Sequence, residues 1–214
     1  MPADPTLRFD GPPTAAITVA LAHGAGAGMD TPFMHFFAAE LANHGLRVAR
    51  FEFPYMAAYR DTGARKPPDR EPVLRDAWLQ VIQKLGPEQL IIGGKSMGGR
   101  IASLVADGAG VAGLICLGYP FHPVGKPERL RVQHLTTIRT ATLILQGERD
   151  PFGDRTAVQG YQLSSAIEVR WLKDGDHSFK PRKSSGQTER QNWQTAIEDI
   201  VRFAGSLPAA GETK

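Results

Sequence analysis

Ser96 stands in the run Gly93-Gly94-Lys95-Ser96-Met97-Gly98-Gly99-Arg100, with glycine two residues to either side of it. That spacing fits a sharp turn from a strand into a helix, in which small residues let neighbouring backbones approach and the hydroxyl is held out at the edge of a sheet. At a helix N-terminus the free N–H groups also favour negative charge developing beside the serine. A serine hydroxyl becomes an effective nucleophile only when a base takes its proton and a third group fixes the tautomer of that base. His177, in the run from Lys173 to Phe179, follows an apolar segment and is the candidate base. Asp150, in the run from Gln146 to Gly153, follows another and is the candidate acid. Asp154, Asp174 and Asp176 remain open for the acid role and His122 for the base. His35, His44 and His134 fall in expected helical stretches and read as surface or packing residues. Lys95 permits a Ser–Lys pairing, although the residue before a serine on such a turn usually points elsewhere.

Acyl transfer through a serine also needs two preorganised N–H donors for the oxyanion. The Met97 backbone is one candidate. Ala25 is the other, with Gly26 as its alternative, in the small-residue loop from His23 to Gly28. His23, Gly24 and Gly26 are expected to border substrate. Tyr119 and Phe121 are placed either to line an acyl pocket or to pack.

The elements that must carry these residues alternate along the chain. Six apolar, β-branched runs at 17–22, 46–51, 89–93, 111–117, 141–146 and 167–172 read as mostly parallel, buried strands. Helices are expected between them. One begins at Thr31-Pro32, carries Phe33, Phe37 and Leu41 on one face, and closes at Gly45. A second carries Leu74, Trp78, Val81, Ile82 and Leu85 and stops at Gly86-Pro87. A third is expected from Met97 to about Asp107, and the last is marked by Trp193, Ile197, Ile200 and Val201. This alternation predicts an α/β sheet with helices on both faces. Residues 59–72 read as a Pro- and charge-rich loop, 119–139 as at most a small cap, and 207–214 as a tail; the expectation is one domain over 1–214 with its core at about 15–205.

The 214 residues are 42% hydrophobic and carry a net charge of +3, which suits one ordinary globular domain. The single cysteine, Cys116, excludes an internal disulfide and lies mid-strand as inert core. No secretory signal, membrane-spanning run or nucleic-acid-reading motif is found, so a cytoplasmic protein without membrane or nucleic-acid partners is expected, as monomer or homodimer. No cofactor or metal motif stands out. Gly24-Ala25-Gly26 lacks the small residue that a dinucleotide fingerprint needs at 29 or 31, and Gln89 occupies the position where a phosphate loop would need glycine. Two basic stretches, Arg60, Arg65, Lys66 and Arg70, and Lys180, Arg182 and Lys183, read either as solvated surface or as an attraction for anionic substrates.

Taken together, His23 to Gly26, Gly94 to Gly98, Gly147 to Gly153 and Asp176 to Phe179 resemble the α/β-hydrolase superfamily, and within it a branch of small, lidless bacterial hydrolases related to dienelactone hydrolases. The likeness runs from about residue 15 to 205, and the order Ser96, Asp150, His177 is the one such folds use. The resemblance implies up to eight strands, so with six the first hairpin is expected to be reduced, and no large lid is expected. Serine stands where dienelactone hydrolases carry cysteine, so their substrate does not carry over. The function expected is a serine hydrolase of carboxylesterase type, acting on a small-molecule acyl ester through an acyl-serine. The alternatives are a non-catalytic binding or interaction protein on the same scaffold, and an acyltransferase using the same three residues.

Overall fold

The computed structural model describes residues 5–208. Seven strands form one sheet in the order β1-β3-β2-β4-β5-β6-β7. They are β1 (Leu7–Asp10), β2 (Thr18–Ala22), β3 (Arg47–Phe51), β4 (Leu90–Lys95), β5 (Gly113–Leu117), β6 (Thr142–Gly147) and β7 (Ile167–Leu172). All neighbours run parallel except β1, which lies antiparallel along β3. The helices are α1 (Pro32–Asn43), α2 (Pro54–Thr62), α3 (Glu71–Leu85), α4 (Met97–Ser103), α5 (Ala106–Ala109), α6 (Arg155–Gln159) and α7 (Glu189–Ser206).

Successive strand residues point to opposite faces, and both faces are apolar. Val19, Leu21, Val48, Ile91, Ile115 and Leu143 pack under Phe37 and Leu41 of α1 and Ile197 and Ile200 of α7. Ala20, Ala49, Ile92, Leu114, Cys116 and Ile144 pack under Trp78, Val81 and Ile82 of α3 and Ile101 of α4. Helix ends follow local chemistry. Thr31 caps α1 by accepting the Met34 N–H at 3.3 Å, and Thr188 with Gln191 forms a capping box for α7.

The six expected strands are β2 to β7, and among the described residues one more, β1, joins the sheet, while three other expectations are corrected. The added one, β1, is short, half-exposed and half-polar, so it lacks an apolar signature; it is fixed instead by Asp10, which accepts from buried Arg50 of β3 at 2.9 Å. The helix expected from Met97 to Asp107 breaks after Ser103, whose hydroxyl donates to the Arg100 carbonyl at 2.7 Å and competes with the helical ladder. Of the loop expected at 59–72, residues 59–62 complete α2, which buries Tyr55 and Met56, and Pro72 lies in the first turn of α3, where its missing N–H costs nothing. Leu207, expected in the tail, packs against the α1/α7 side of the core, while 209–214 lie outside the described residues.

The chain reverses direction across the sheet at β2. From β2 it passes through α1 to β3 on one side, then returns to β4 on the other. The crevice beyond the carboxyl ends of β2 and β4 is therefore the place where an open parallel sheet offers a ligand room.

Candidate active site

Ser96 is the residue between β4 and α4, with φ 51° and ψ −113°. Such a left-handed conformation at a non-glycine residue costs on the order of 1–3 kcal/mol and is retained where the surroundings over-determine it. Here the surroundings are backbone. The Ser96 N–H donates to the Leu117 carbonyl at 3.0 Å, and its own carbonyl accepts the Arg100 N–H at 3.0 Å to start α4. A Cβ at Gly94 would lie 2.0 Å from the Ala22 carbonyl oxygen, and one at Gly98 2.4 Å from the same atom. Glycine at both positions is thus what lets the turn seat against the end of β2.

Asp150 and His177 arrive from the turns after β6 and β7. The Asp150 carboxylate is fully buried and accepts three hydrogen bonds: the Phe152 N–H to Oδ1 at 2.9 Å, and Gln146 Nε2 at 2.9 Å and His177 Nδ1 at 2.8 Å to Oδ2. A carboxylate facing Nδ1 places the ring proton there and leaves Nε2 as the acceptor. The ring of His177 packs on Phe152 at 4.3 Å between centroids. Ser96 and His177 both line a cavity of about 380 Å3 that reaches along the 24–28 loop to Phe33 and Met34 of α1. Among the described residues no hydrogen bond joins Ser96 Oγ to His177, a separation usual before substrate draws such groups together. Gln146 is held in turn by the Tyr119 and Gly153 carbonyls, at 3.2 and 3.1 Å, and by the Tyr119 N–H at 2.7 Å.

Gly24, Ala25 and Gly26 line the cavity, and no described group accepts the Ala25 or Gly26 N–H. Met97 N–H belongs to the first turn of α4, which has no i−4 carbonyl to satisfy it. A second cavity of about 390 Å3 lies on the α3 side of Ser96 and meets the first at Ala25, Ser96 and Phe152.

Three expected substrate contacts are corrected. His23 is fully buried beneath the loop: its Nδ1 pairs with the Gly24 carbonyl at 2.7 Å and its Nε2 accepts the Phe53 N–H at 3.1 Å. Burial pushes its pKa down to about 4, against the hydrogen bond to Gly24. It is a neutral prop for the loop and not part of the cavity wall. Tyr119 and Phe121 are also fully buried, the Tyr119 hydroxyl donating to the Arg131 carbonyl at 2.9 Å, and neither lines the two cavities. Tyr55, which no sequence pattern singled out, donates its hydroxyl to the Ala25 carbonyl at 3.0 Å and so fixes the same loop.

Lys95 does not point away. It lines the first cavity, and its Nζ donates to the His177 carbonyl and sits 5.4 Å from the Phe33 ring centre. Burial pushes its pKa down to about 8, with Asp150 and Asp176 pulling it back up. Its position next to Ser96 was the signal available for it in the sequence.

The other carboxylates have other work. Asp154 caps α6, Asp176 accepts the Ser178 and Lys180 N–H groups, and Asp174 pairs with Arg149 and Arg182, whose hydrogen bonds hold its pKa down at about 2. His122 pairs through Nδ1 with the Pro123 carbonyl. Of the two basic stretches, Arg60 pairs with Glu52 at 2.7 Å and Arg182 with Asp174, and none of the seven side chains lines either cavity.

A second serine–histidine contact exists. Ser103 Oγ, at the buried last residue of α4, lies 2.8 Å from His134 Nε2. The same hydroxyl donates to the Arg100 carbonyl, so its proton is committed, and among the described residues no carboxylate hydrogen bonds to His134. Neither residue lines the two cavities at Ser96.

A family model described as an alpha/beta hydrolase domain matches residues 15–205. Among solved structures, an alpha-beta serine hydrolase homologue from Coxiella burnetii is 20% identical, with 92% of this chain and 89% of that chain covered at a TM-score of 0.69. A serine hydrolase without a lid from Xanthomonas campestris is 20% identical over 95% and 89% of the two chains at a TM-score of 0.69. Est1E from Butyrivibrio proteoclasticus, with ferulic acid bound, is 13% identical over 94% and 96% at a TM-score of 0.70. At these identities the likeness is one of fold. No helix among the described residues is long and apolar enough to cross a membrane.

Proposed function

The chain belongs to the alpha/beta hydrolase family, and on that premise we propose that it is a serine hydrolase with Ser96, His177 and Asp150 as its nucleophile, base and orienting acid, acting on small acyl esters. The observation that carries this reading is the 2.8 Å pairing of His177 with fully buried Asp150 at the cavity that also exposes the strained Ser96.

In the reaction, Ser96 Oγ bonds to the acyl carbon while its proton passes to His177 Nε2, and Asp150 stabilises the imidazolium that results. The carbonyl electron pair moves onto oxygen, where the N–H groups of Met97 and Ala25 receive it. Collapse breaks the ester C–O bond, and the leaving alkoxide takes the proton from His177. Water, losing a proton to the same nitrogen, then attacks the acyl-serine; the bond between the acyl carbon and Ser96 Oγ breaks, Oγ takes the proton back from His177, and the acid departs. Two cavities meeting at Ser96 suit the two halves of an ester.

The direct Ser103–His134 hydrogen bond favours one rival reading, in which Ser103 is the nucleophile. Intact-mass measurement after treatment with a fluorophosphonate separates them. Wild type and S103A should each gain one adduct and S96A none. An adduct that persists in S96A and vanishes in S103A would reverse the assignment, and no adduct on folded wild type would remove both.

A further inference from the structure

The cavity on the α3 side of Ser96 holds charges for which hydrolysis alone has no use. Its walls include Asp69, Glu71, Arg100 and Arg131. Three of these four are engaged. Arg100 pairs with Glu71 at 3.1 Å, and Asp69 accepts the Tyr55 N–H at 2.9 Å. Arg131 is different. Its backbone is fixed, the N–H by the Phe121 carbonyl at 2.7 Å and the carbonyl by the Tyr119 hydroxyl at 2.9 Å, yet among the described residues its guanidinium meets no hydrogen-bond acceptor and no carboxylate. Partial burial and the nearby positive charge of Arg100 both act against it, lowering its pKa from the usual arginine value. A half-buried cation placed near a second cation is unfavourable unless something negative joins them.

We propose that Arg131, with Arg100 beside it, binds a carboxylate carried by the substrate, so that the preferred esters of this hydrolase have one neutral ester bond for Ser96 and one free carboxylate for the α3-side cavity. The guanidinium offers parallel N–H donors that match the two oxygens of a carboxylate, which a lone ammonium does not. None of the seven basic side chains of the two stretches conspicuous in the sequence lines this cavity, so the attraction for anions rests on a residue outside both of them. The inference rests on Ser96 being the reacting serine, because it takes its geometry from the cavity that Ser96 shares.

Binding is read in the full-length S96A chain, where no turnover intervenes, by titration with two matched pairs: monomethyl glutarate against dimethyl glutarate, and acetoxyacetic acid against its methyl ester. The first pair places the carboxylate on the acyl half and the second on the alcohol half. At least one acid should bind about tenfold or more tighter than its neutral partner, the scale of one charge-assisted hydrogen-bonded pair. That ratio should fall about tenfold in S96A/R131M and partly return in S96A/R131K. The Arg131 side chain has no described partner to orphan, so the methionine variant should fold, and its urea midpoint checks that it does. Ratios near one in both pairs, no binding of either acid, or a preference that survives R131M would overturn the proposal. Fluorophosphonate labelling is independent of these titrations, so failure of the nucleophile assignment would be visible separately.

Discussion

Replacement of Asp150 by asparagine tests the orienting role with an argument that hydrogen-bond counting decides. Three donors converge on the carboxylate: the Phe152 N–H on Oδ1, and His177 Nδ1 and Gln146 Nε2 on Oδ2. An asparagine must place its NH2 against one of these sites. On the Oδ1 side it would leave the Phe152 N–H facing another donor, a buried loss of about 1–3 kcal/mol. On the Oδ2 side nothing need be orphaned. Gln146 Nε2 keeps its Tyr119 and Gly153 carbonyl partners, and the asparagine NH2 donates to His177 Nδ1. That arrangement wins, and it moves the imidazole proton to Nε2, where it faces Ser96 and cannot accept the hydroxyl proton. D150N should therefore stay within about 1 kcal/mol of wild-type stability in urea, while the rate of fluorophosphonate adduct formation falls by about 10^4, equivalent to about 5.5 kcal/mol of barrier. D150A, which leaves the Phe152 N–H and His177 Nδ1 without their acceptor while Gln146 keeps its two carbonyls, should instead lose about 2 kcal/mol or more of stability. Labelling of D150N within tenfold of wild type would show that Asp150 does not set the tautomer.

Two further outcomes follow from groups near Ser96. Between about pH 8 and the ordinary lysine value of 10.5, the folded chain has released the Lys95 proton and the unfolded chain has not, so unfolding takes up a proton and stability rises with pH across that window; urea midpoints of wild type and K95M should diverge there in favour of wild type, and parallel slopes would sink the idea. Gly98→Ala would set a Cβ 2.4 Å from the Ala22 carbonyl and 2.7 Å from that of His23, both backbone, and should destabilise by about 1–3 kcal/mol or more and displace Ser96. Gly108→Ala meets nothing within 4 Å and should be neutral or stabilise by about 0.5–1 kcal/mol; equal urea midpoints for the two variants would refute the packing argument.

The fold was legible where burial leaves a mark on residue type. β4, β5 and β6 are covered on both faces, so their sequences are continuous apolar runs. β1 was not legible, because an edge strand with one neighbour needs little apolar area; Arg50 and Asp10, forty positions apart, fix it, and no local window contains that pair. The break after Ser103 escaped for a related reason. Its apolar spacing continues through Val105, and only the direction of one hydroxyl ends the helix.

The candidate site divides along the same line. Ser96, Asp150 and His177 each follow a strand end, and a parallel sheet brings such ends to one edge, so position in the chain carried information about position in space. Charge carried none. The sequence displays its basic residues in clusters at 60–70 and 180–183, yet folding pairs Arg60 with Glu52 and Arg182 with Asp174 and sets none of the seven side chains on the wall of either cavity. Arg100 and Arg131 stand thirty-one positions apart with nothing local to mark them, yet α4 and the segment after β5 set both on the wall beside Ser96. The field a substrate meets depends on which cations keep no partner after folding, and that is a property of pairing, which residue spacing does not encode.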